Sequence, residues 1–215
     1  MRRLCGYTVM RLRCYAVTWL VVVIVMGFLF PTCVMAQESG DLLFVRSKES
    51  EMEKAISAST GEYTHVALVD RDIDGSVWVI EADPQNGVRR IKFFEWESEY
   101  TDQYDVFRLS FPFDTADMIT RARLFVGQPY DEAFLPDDDN FYCSELVYEC
   151  YLKDGEHLFE TKPMNWRDAD GKIPDYWIEH FRKLGVPIPE GVPGTNPTDM
   201  AKSPLLRKVL LGNRQ

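Results

Sequence analysis

The sequence predicts an α+β domain, with an antiparallel sheet of about five strands packed against helices. Three observations carry this. Short apolar runs with period-two alternation recur at residues 42–45, 65–69, 76–82, 87–93 and 105–109. Two of the intervals between them are tight turns rich in Asp, Gly, Asn and Pro, which join strands as hairpins. Helical spacing then dominates the second half, at residues 115–126 and 143–151.

Residues 1–36 stand apart from this domain. Arg2, Arg3, Arg11 and Arg13 form a basic segment, Ala16 to Phe30 is an uninterrupted apolar run, and Val34-Met35-Ala36 supplies small residues at a cleavage position. The pattern is that of a secretory signal cleaved before Gln37. A retained N-terminal anchor is the alternative, although the apolar run is short for a bilayer span; lipidation at Cys33 is a third. The expectation is therefore an exported protein, periplasmic or extracellular, with possible membrane proximity.

Removing these residues takes away four arginines and no acids. Lys+Arg falls from 24 to 20 against 34 acids, and net charge moves from −10 to −14. So acidic a surface argues against nucleic acid as a partner. Three of the five cysteines leave as well, and Cys143 and Cys150 remain. Seven residues apart on one helix, they lie about 10 Å from each other, beyond disulfide reach. A free thiol in an oxidising compartment is a liability unless it is buried or used.

Along the mature chain, Leu42 to Val45 forms a short buried strand and Glu49 to Ser59 a helix with Met52, Ala55 and Ile56 inward. His65 to Val69 and Ser76 to Ala82 pair across an Asp70 to Gly75 turn, and Gly87 to Phe93 and Asp105 to Leu109 complete the sheet. Thr115 to Val126 is helical, with Asp114 as its cap and Gly127-Gln128-Pro129 as its end. Tyr176 to Leu184 is a further short helix. Residues 37–184 read as one domain and residues 185–215 as a proline-rich extension, expected to lie extended over the surface or loosely ordered.

Cys143 opens a helix whose apolar stripe runs through Leu146, Val147, Cys150 and Tyr151. Asp137 to Asn140 provide short acceptor side chains suited to capping, so Cys143 is placed in the first turn. There, backbone N–H groups and the helix dipole favour a thiolate. The same stripe also suits a small buried hydrophobe, so nucleophile and structural cysteine both stand.

A nucleophilic cysteine needs a base and a group that orients it. His157 lies in a polar connection and His180 on a late helix, whereas His65 begins an apolar strand. Glu81 is a carboxylate at the end of the next, otherwise apolar strand. If Leu68 or Val69 lies beside Trp78 or Val77, the hairpin brings His65 and Glu81 together. Glu81 could equally mark that strand's exit to solvent.

Gly127-Gln128-Pro129-Tyr130 followed by Tyr142-Cys143-Ser144-Glu145-Leu146-Val147 resembles the nucleophile region of NlpC/P60 cysteine peptidases, G-x-P-Y and then D-C-S-G-[LF]-V. Gly40-Asp41-Leu42-Leu43-Phe44 and Thr64-His65-Val66-Ala67 resemble that family's G-D-L-[VI]-F and H-V-[GA] segments. In ordinary members the cysteine precedes the histidine; here it follows by 78 residues. The resemblance is therefore to the circularly permuted, YiiX/YebB-like papain-fold amidases.

The resemblance implies a permuted papain-like core with Cys143 as nucleophile, His65 as general base and then acid, Glu81 as the orienting group, and Tyr130 near the oxyanion site. It calls for no metal or cofactor. The expected reaction is amide cleavage through an acyl-enzyme, in cell-wall peptides or related N-acyl or peptide substrates. Lipid acyl hydrolysis or acyl transfer is the alternative, with Phe134, Phe141, Tyr142 and Trp166 as candidates to line an acyl groove; a non-catalytic binding module is another. Tyr142 and Glu145 depart from the family's aspartate and glycine, so its peptide specificity does not transfer directly.

Overall fold

A computed structural model describes residues 37–46, 49–136 and 139–210. The segment read above as a signal or anchor lies outside the described residues, and among those described no helix is long and apolar enough to cross a membrane.

The strands of the main sheet are β1 (Leu42–Val45), β2 (His65–Arg71), β3 (Val77–Asp83), β4 (Gly87–Lys92), β5 (Tyr104–Leu109) and β6 (Leu206–Val209), in the order β6-β5-β1-β2-β3-β4 with every pair antiparallel; two ribbons of paired two-residue strands lie outside it. The helices are α1 (Glu51–Thr60), α2 (Phe93–Glu99), α3 (Ala116–Leu124), α4 (Cys143–Cys150), α5 (Asp175–Leu184) and α6 (Pro197–Ala201). The α+β reading with a mostly antiparallel sheet holds. The sheet of about five strands has six, β6 being the one that the sequence reading does not include.

The β2–β3 hairpin is longer than its sequence suggests. Asp70 and Arg71 belong to β2, pairing with Trp78 and Val77, and the turn is residues 72–76. Asp70 reads as a turn former, yet it is fully buried, its carboxylate accepting from Arg90 Nε at 2.6 Å and from Arg123 at 2.7 and 2.8 Å. Three charge-assisted bonds supply what water would otherwise provide, so a carboxylate persists inside the strand. The register is also two residues away from a direct His65–Glu81 pairing, since Leu68 faces Ile80. A shift of two preserves the face of every side chain, so His65 and Glu81 still project together, now diagonally.

Alternation divides the sheet. Leu68, Ile80 and Ala82 pack with Cys143, Leu146, Val147 and Cys150 of α4, together with Leu42, Phe44 and Val66. His65 and Glu81 occupy the alternate positions, where Trp96 of α2 meets them, its Nε1 donating to Glu81. Helix α2 is absent from the sequence reading, which ends the strand at Phe93. Its N-cap is Lys92, which makes no side-chain capping bond, so no start signal marks it.

Residues 186–210 are built into the domain, correcting the extended or loosely ordered path expected from their prolines. β6 pairs with β5, with Leu206 opposite Leu109 and Val209 opposite Val106. Upstream, α6 is capped by Asn196, and Thr198 Oγ1 accepts from Tyr63 N at 2.9 Å while donating to Tyr63 O at 3.1 Å. Prolines here shape a path whose backbone groups are satisfied by distant partners, which composition alone does not reveal.

Gly40-Asp41 proves structural. The buried Asp41 accepts from Arg108 at 2.6 and 2.8 Å, and Tyr151 Oη donates to Gly40 O at 2.7 Å. This pins β1 to β5 and to the end of α4.

Candidate active site

Helix α4 begins at Cys143, with Tyr142 as its N-cap. The expected Asp and Asn cap is not used: Asp137 and Asp138 lie outside the described residues, and the polypeptide stays extended through Tyr142 at φ −89° and ψ 167°. Both departures from the family pattern find a local role here. Glu145, at the third helical position, accepts a long 3.4 Å bond from Tyr142 N, as a capping-box carboxylate does. Tyr142 Oη accepts from Thr195 N at 3.0 Å, and Thr195 Oγ1 donates to Ser144 Oγ at 3.0 Å. The C-terminal segment thus braces the residues on both sides of Cys143.

His65 starts β2 and meets both neighbours expected of it. Its Nε2 lies 2.7 Å from Glu81 Oε2, and its ring is hydrogen-bonded to the Cys143 side chain. With Nε2 committed to the carboxylate, Nδ1 is the nitrogen left for sulfur. All three residues are buried, with Cys143 5%, His65 8% and Glu81 0% exposed. Burial disfavours charge on His65, but the bonds to Cys143 and Glu81 and their charges outweigh it, raising the imidazole to about 10. Glu81 is held below the usual carboxylate range. Burial opposes this, and the His65 bond and charge, then Arg89 and Trp96, overcome it.

Three residues that sequence reasoning missed complete this arrangement. Arg89 sits directly opposite Glu81 in the β3–β4 register and donates from Nε to Oε1 at 2.8 Å. Trp96 Nε1 donates to Oε2 at 2.8 Å. Tyr100 stacks on His65 with ring centroids 5.9 Å apart and planes 20° from parallel. Period-two spacing puts residue 89 on a strand, but only its register with β3 singles it out.

Tyr130 forms an isolated parallel bridge with Phe141, two residues before Cys143. Phe141 N donates to Pro129 O and Asp131 N to Phe141 O, each at 3.2 Å. The Gly127 to Tyr130 segment in turn lies against the start of β4, where Gly127 N donates to Val88 O and Val88 N to Gln128 O, each at 2.8 Å. Gly87 permits this approach: it has φ +69°, and a Cβ there would fall 2.3 Å from Gln128 O. The Tyr130 phenol is raised well above its ordinary value, by burial first and then by the charge of Cys143.

Cys143 opens into a cavity of about 40 Å³. Tyr130, Phe134, Tyr142 and Trp166 contribute to its wall. Phe141 does not; it packs on Phe125 with ring centroids 4.5 Å apart. Thr195 and Asn196, from the segment expected to be loose, also line it.

Cys150 lies fully buried in the core, its thiol pushed up by burial, with Glu149 adding to and Arg121 opposing the shift. His157 stacks on Tyr148, and His180 Nε2 donates to Glu132 O at 2.7 Å. Neither belongs to the Cys143 constellation. Among the described residues no three His, Cys, Asp or Glu side chains gather in a way that could hold a metal ion.

The chain resembles a solved structure described as the crystal structure of metalloprotein YiiX from Escherichia coli O157:H7. The two share 23% identity with a TM-score of 0.70, over 82% of this chain and 98% of that one. At that identity the likeness is one of fold. No curated protein matches. Residues 36–210 match the family described as permuted papain-like amidase enzyme, YaeF/YiiX, C92 family. Here the cysteine helix follows the histidine strand in the chain, and the chain belongs to this family of permuted papain-like thiol hydrolases.

Proposed function

We propose that this enzyme cleaves an amide bond through an acyl-enzyme on Cys143, with His65 as base and then acid and Glu81 as the group orienting His65. The observation that carries the reading is that one buried imidazole lies between the buried Cys143 thiol and the Glu81 carboxylate, 2.7 Å from the latter. An imidazolium beside a cysteine is the arrangement that supplies a thiolate nucleophile.

In this reading the Cys143 sulfur attacks the substrate carbonyl carbon, and the developing oxyanion lies near the Cys143 backbone N–H and the Tyr130 hydroxyl. The first N–H groups of a helix have no intrahelical acceptor, which leaves that of Cys143 free for this task. The C–N bond then breaks as His65 gives its proton to the leaving amine, and a thioester forms. Water attacks the thioester while His65 takes its proton, the acid product leaves, and the cysteine and imidazolium are restored. Glu81 keeps the ring oriented throughout and balances its charge.

Cell-wall peptides or related N-acyl or peptide compounds are the substrates first considered. Export, supported by the basic and apolar residues 1–36, would bring the enzyme to them, in the periplasm or outside the cell, with that segment cleaved or kept as an anchor. Lipid acyl hydrolysis or acyl transfer is the second reading. It is favoured by the cavity wall, which carries no Asp, Glu, Lys, Arg or His side chain.

Purified protein incubated with muropeptides, and separately with N-acyl and ester lipids, tests these readings. We expect product from one class and none from Cys143→Ala. Release of neither, or release unchanged in Cys143→Ala, would leave a binding module. Terminal sequencing of protein recovered from its host decides the processing of residues 1–36.

A further inference from the structure

Among the described residues the large apolar side chains most open to solvent are Ile73, Leu210, Leu124 and Phe94, from fully exposed to 68% exposed. Three of them gather toward one end of the sheet. Ile73 is in the turn between β2 and β3. Phe94 is the second residue of α2, which starts straight after Lys92, and Lys92 pairs with Trp78 at that same end of β3. Leu124 follows Arg123, whose guanidinium bonds Asp72 beside Ile73. Leu210 lies elsewhere. It follows Val209, which faces Val106, and so belongs to the end of the sheet where β2 begins at His65.

Single exposed apolar residues are ordinary, whereas several at one end, one of them on a hairpin tip, call for an occupant. The polar groups around them suit lipid headgroups. Lys92 Nζ and Arg90 Cζ lie 3.5 and 4.1 Å from the centre of the Trp78 ring. Asp72 is neutralised by Arg90 and Arg123, and Asp74 accepts from Ser76 N within the turn. An apolar tip backed by an aromatic ring and cationic side chains is the composition of a membrane interface.

The path of the chain points to the same occupant. The described residues begin at Gln37, whose carbonyl accepts from Arg71 Nη1 at 3.1 Å, and Ser39 Oγ accepts from Arg71 N at 2.9 Å. Arg71 is two residues before Ile73, so the chain enters the domain beside this turn. The apolar run ends at Phe30, seven residues before Gln37. Even fully extended, that interval covers at most about 25 Å. A bilayer holding the run is therefore within that distance of Gln37.

Taking residues 1–36 as kept for an anchor, we infer that the β2–β3 turn and the start of α2 rest on the surface of the same phospholipid bilayer, with Ile73 and Phe94 entering its headgroup layer and Leu124 beside them. His65 is six residues before Arg71 along β2, about 20 Å at the rise of a strand. Docking by the turn holds Cys143 and His65 toward the far end of the sheet. A polymer lying over the bilayer is within reach there, and an ester group inside it is not. This orientation favours the amide reading over hydrolysis of lipids in that membrane.

Photocrosslinking of the full chain tests the inference. Ile73→p-benzoylphenylalanine, Phe94→p-benzoylphenylalanine and Leu210→p-benzoylphenylalanine are each reconstituted into vesicles of phosphatidylethanolamine and phosphatidylglycerol, irradiated and read by intact mass. All three positions are exposed, so the fold is kept, and Leu210 reports the opposite end. Lipid adducts at 73 and 94 should exceed that at 210 by about tenfold, the preference expected when large apolar side chains are buried on one face. Ile73→Asp should cut the adduct at 94 severalfold. Equal yields at the three positions, crosslinks to a second copy in place of lipid, or an adduct at 94 that Ile73→Asp leaves unchanged would overturn the inference. Flotation with the vesicles is read alongside. Full chain that does not float would end the anchor reading and the docking with it; chain that floats with 73 and 94 unlabelled would end the docking alone, so the two failures are told apart.

Discussion

Arg89 and Glu81 face each other across β4 and β3, and the guanidinium holds the carboxylate oxygen that His65 does not use. Its terminal nitrogen lies 2.7 Å from Oε1, and it also bonds Glu99 Oε2 at 2.7 Å. Glu81 therefore accepts from three donors on three elements, and its orientation is decided before substrate arrives.

Replacing Arg89 should disturb His65 through Glu81. Arg89→Gln removes the charge that keeps Glu81 ionised in a fully buried position. We expect stability to fall by about 2 kcal/mol, the order for a hydrogen bond to a charged group, read as a lower urea midpoint at constant m. Hydrolysis should weaken with its acid limb moved to higher pH, since Glu81 would then take up a proton more readily. Arg89→Lys should recover part of both.

The titration of His65 follows from its two partners. Its imidazolium signal in NMR should persist to about pH 10, and Glu81→Gln or Cys143→Ala should each lower that midpoint. The sign for stability is set by the raised value. A histidine at about 10 in the fold and about 6.5 when unfolded contributes stability that is complete below pH 6.5 and lost as pH climbs toward 10. The stability difference between wild type and His65→Gln should shrink across that window, measured by urea midpoints at successive pH values.

The two cysteines should differ in reactivity and in role. Iodoacetamide should label Cys143 in the native protein and Cys150 only after unfolding, since Cys150 is fully buried and its thiol is pushed up by that burial. Cys150→Ser should cost about 1–3 kcal/mol, by placing a hydroxyl among apolar neighbours, while Cys143 labelling keeps its rate in the folded fraction. Peptide mapping by mass spectrometry reads both.

The bond between Tyr142 and Thr195 should couple the C-terminal segment to the nucleophile helix. Tyr142→Phe leaves Thr195 N–H without its buried acceptor and should cost about 1–3 kcal/mol. Limited proteolysis between residues 185 and 205 should accelerate with it. Truncation before β6, which uncovers the edge of β5, should destabilise the whole domain; a tail that is cut without loss of melting temperature would contradict this.

What the sequence by itself determined is local and periodic. The strand and helix spacings, the order of the Gly127 to Tyr130 and Cys143 motifs, and the polar residues His65 and Glu81 in apolar strands were enough for the fold class and for the permuted papain-like family. Contacts far apart in the chain decided the rest. Asp70 reads as a turn residue because nothing nearby shows that Arg90 and Arg123 will satisfy it inside a strand. Arg89 and Trp96 reach Glu81 only through the β3–β4 register and a helix without a capping signal. The proline-rich end reads as loose because its hydrogen-bond partners, Tyr63, Tyr142 and β5, are far away in the chain, Tyr142 by 53 residues and Tyr63 by 135. Periodicity records which face of an element is buried; the neighbour that buries it, and the polar group that it satisfies there, are settled only when the chain closes on itself.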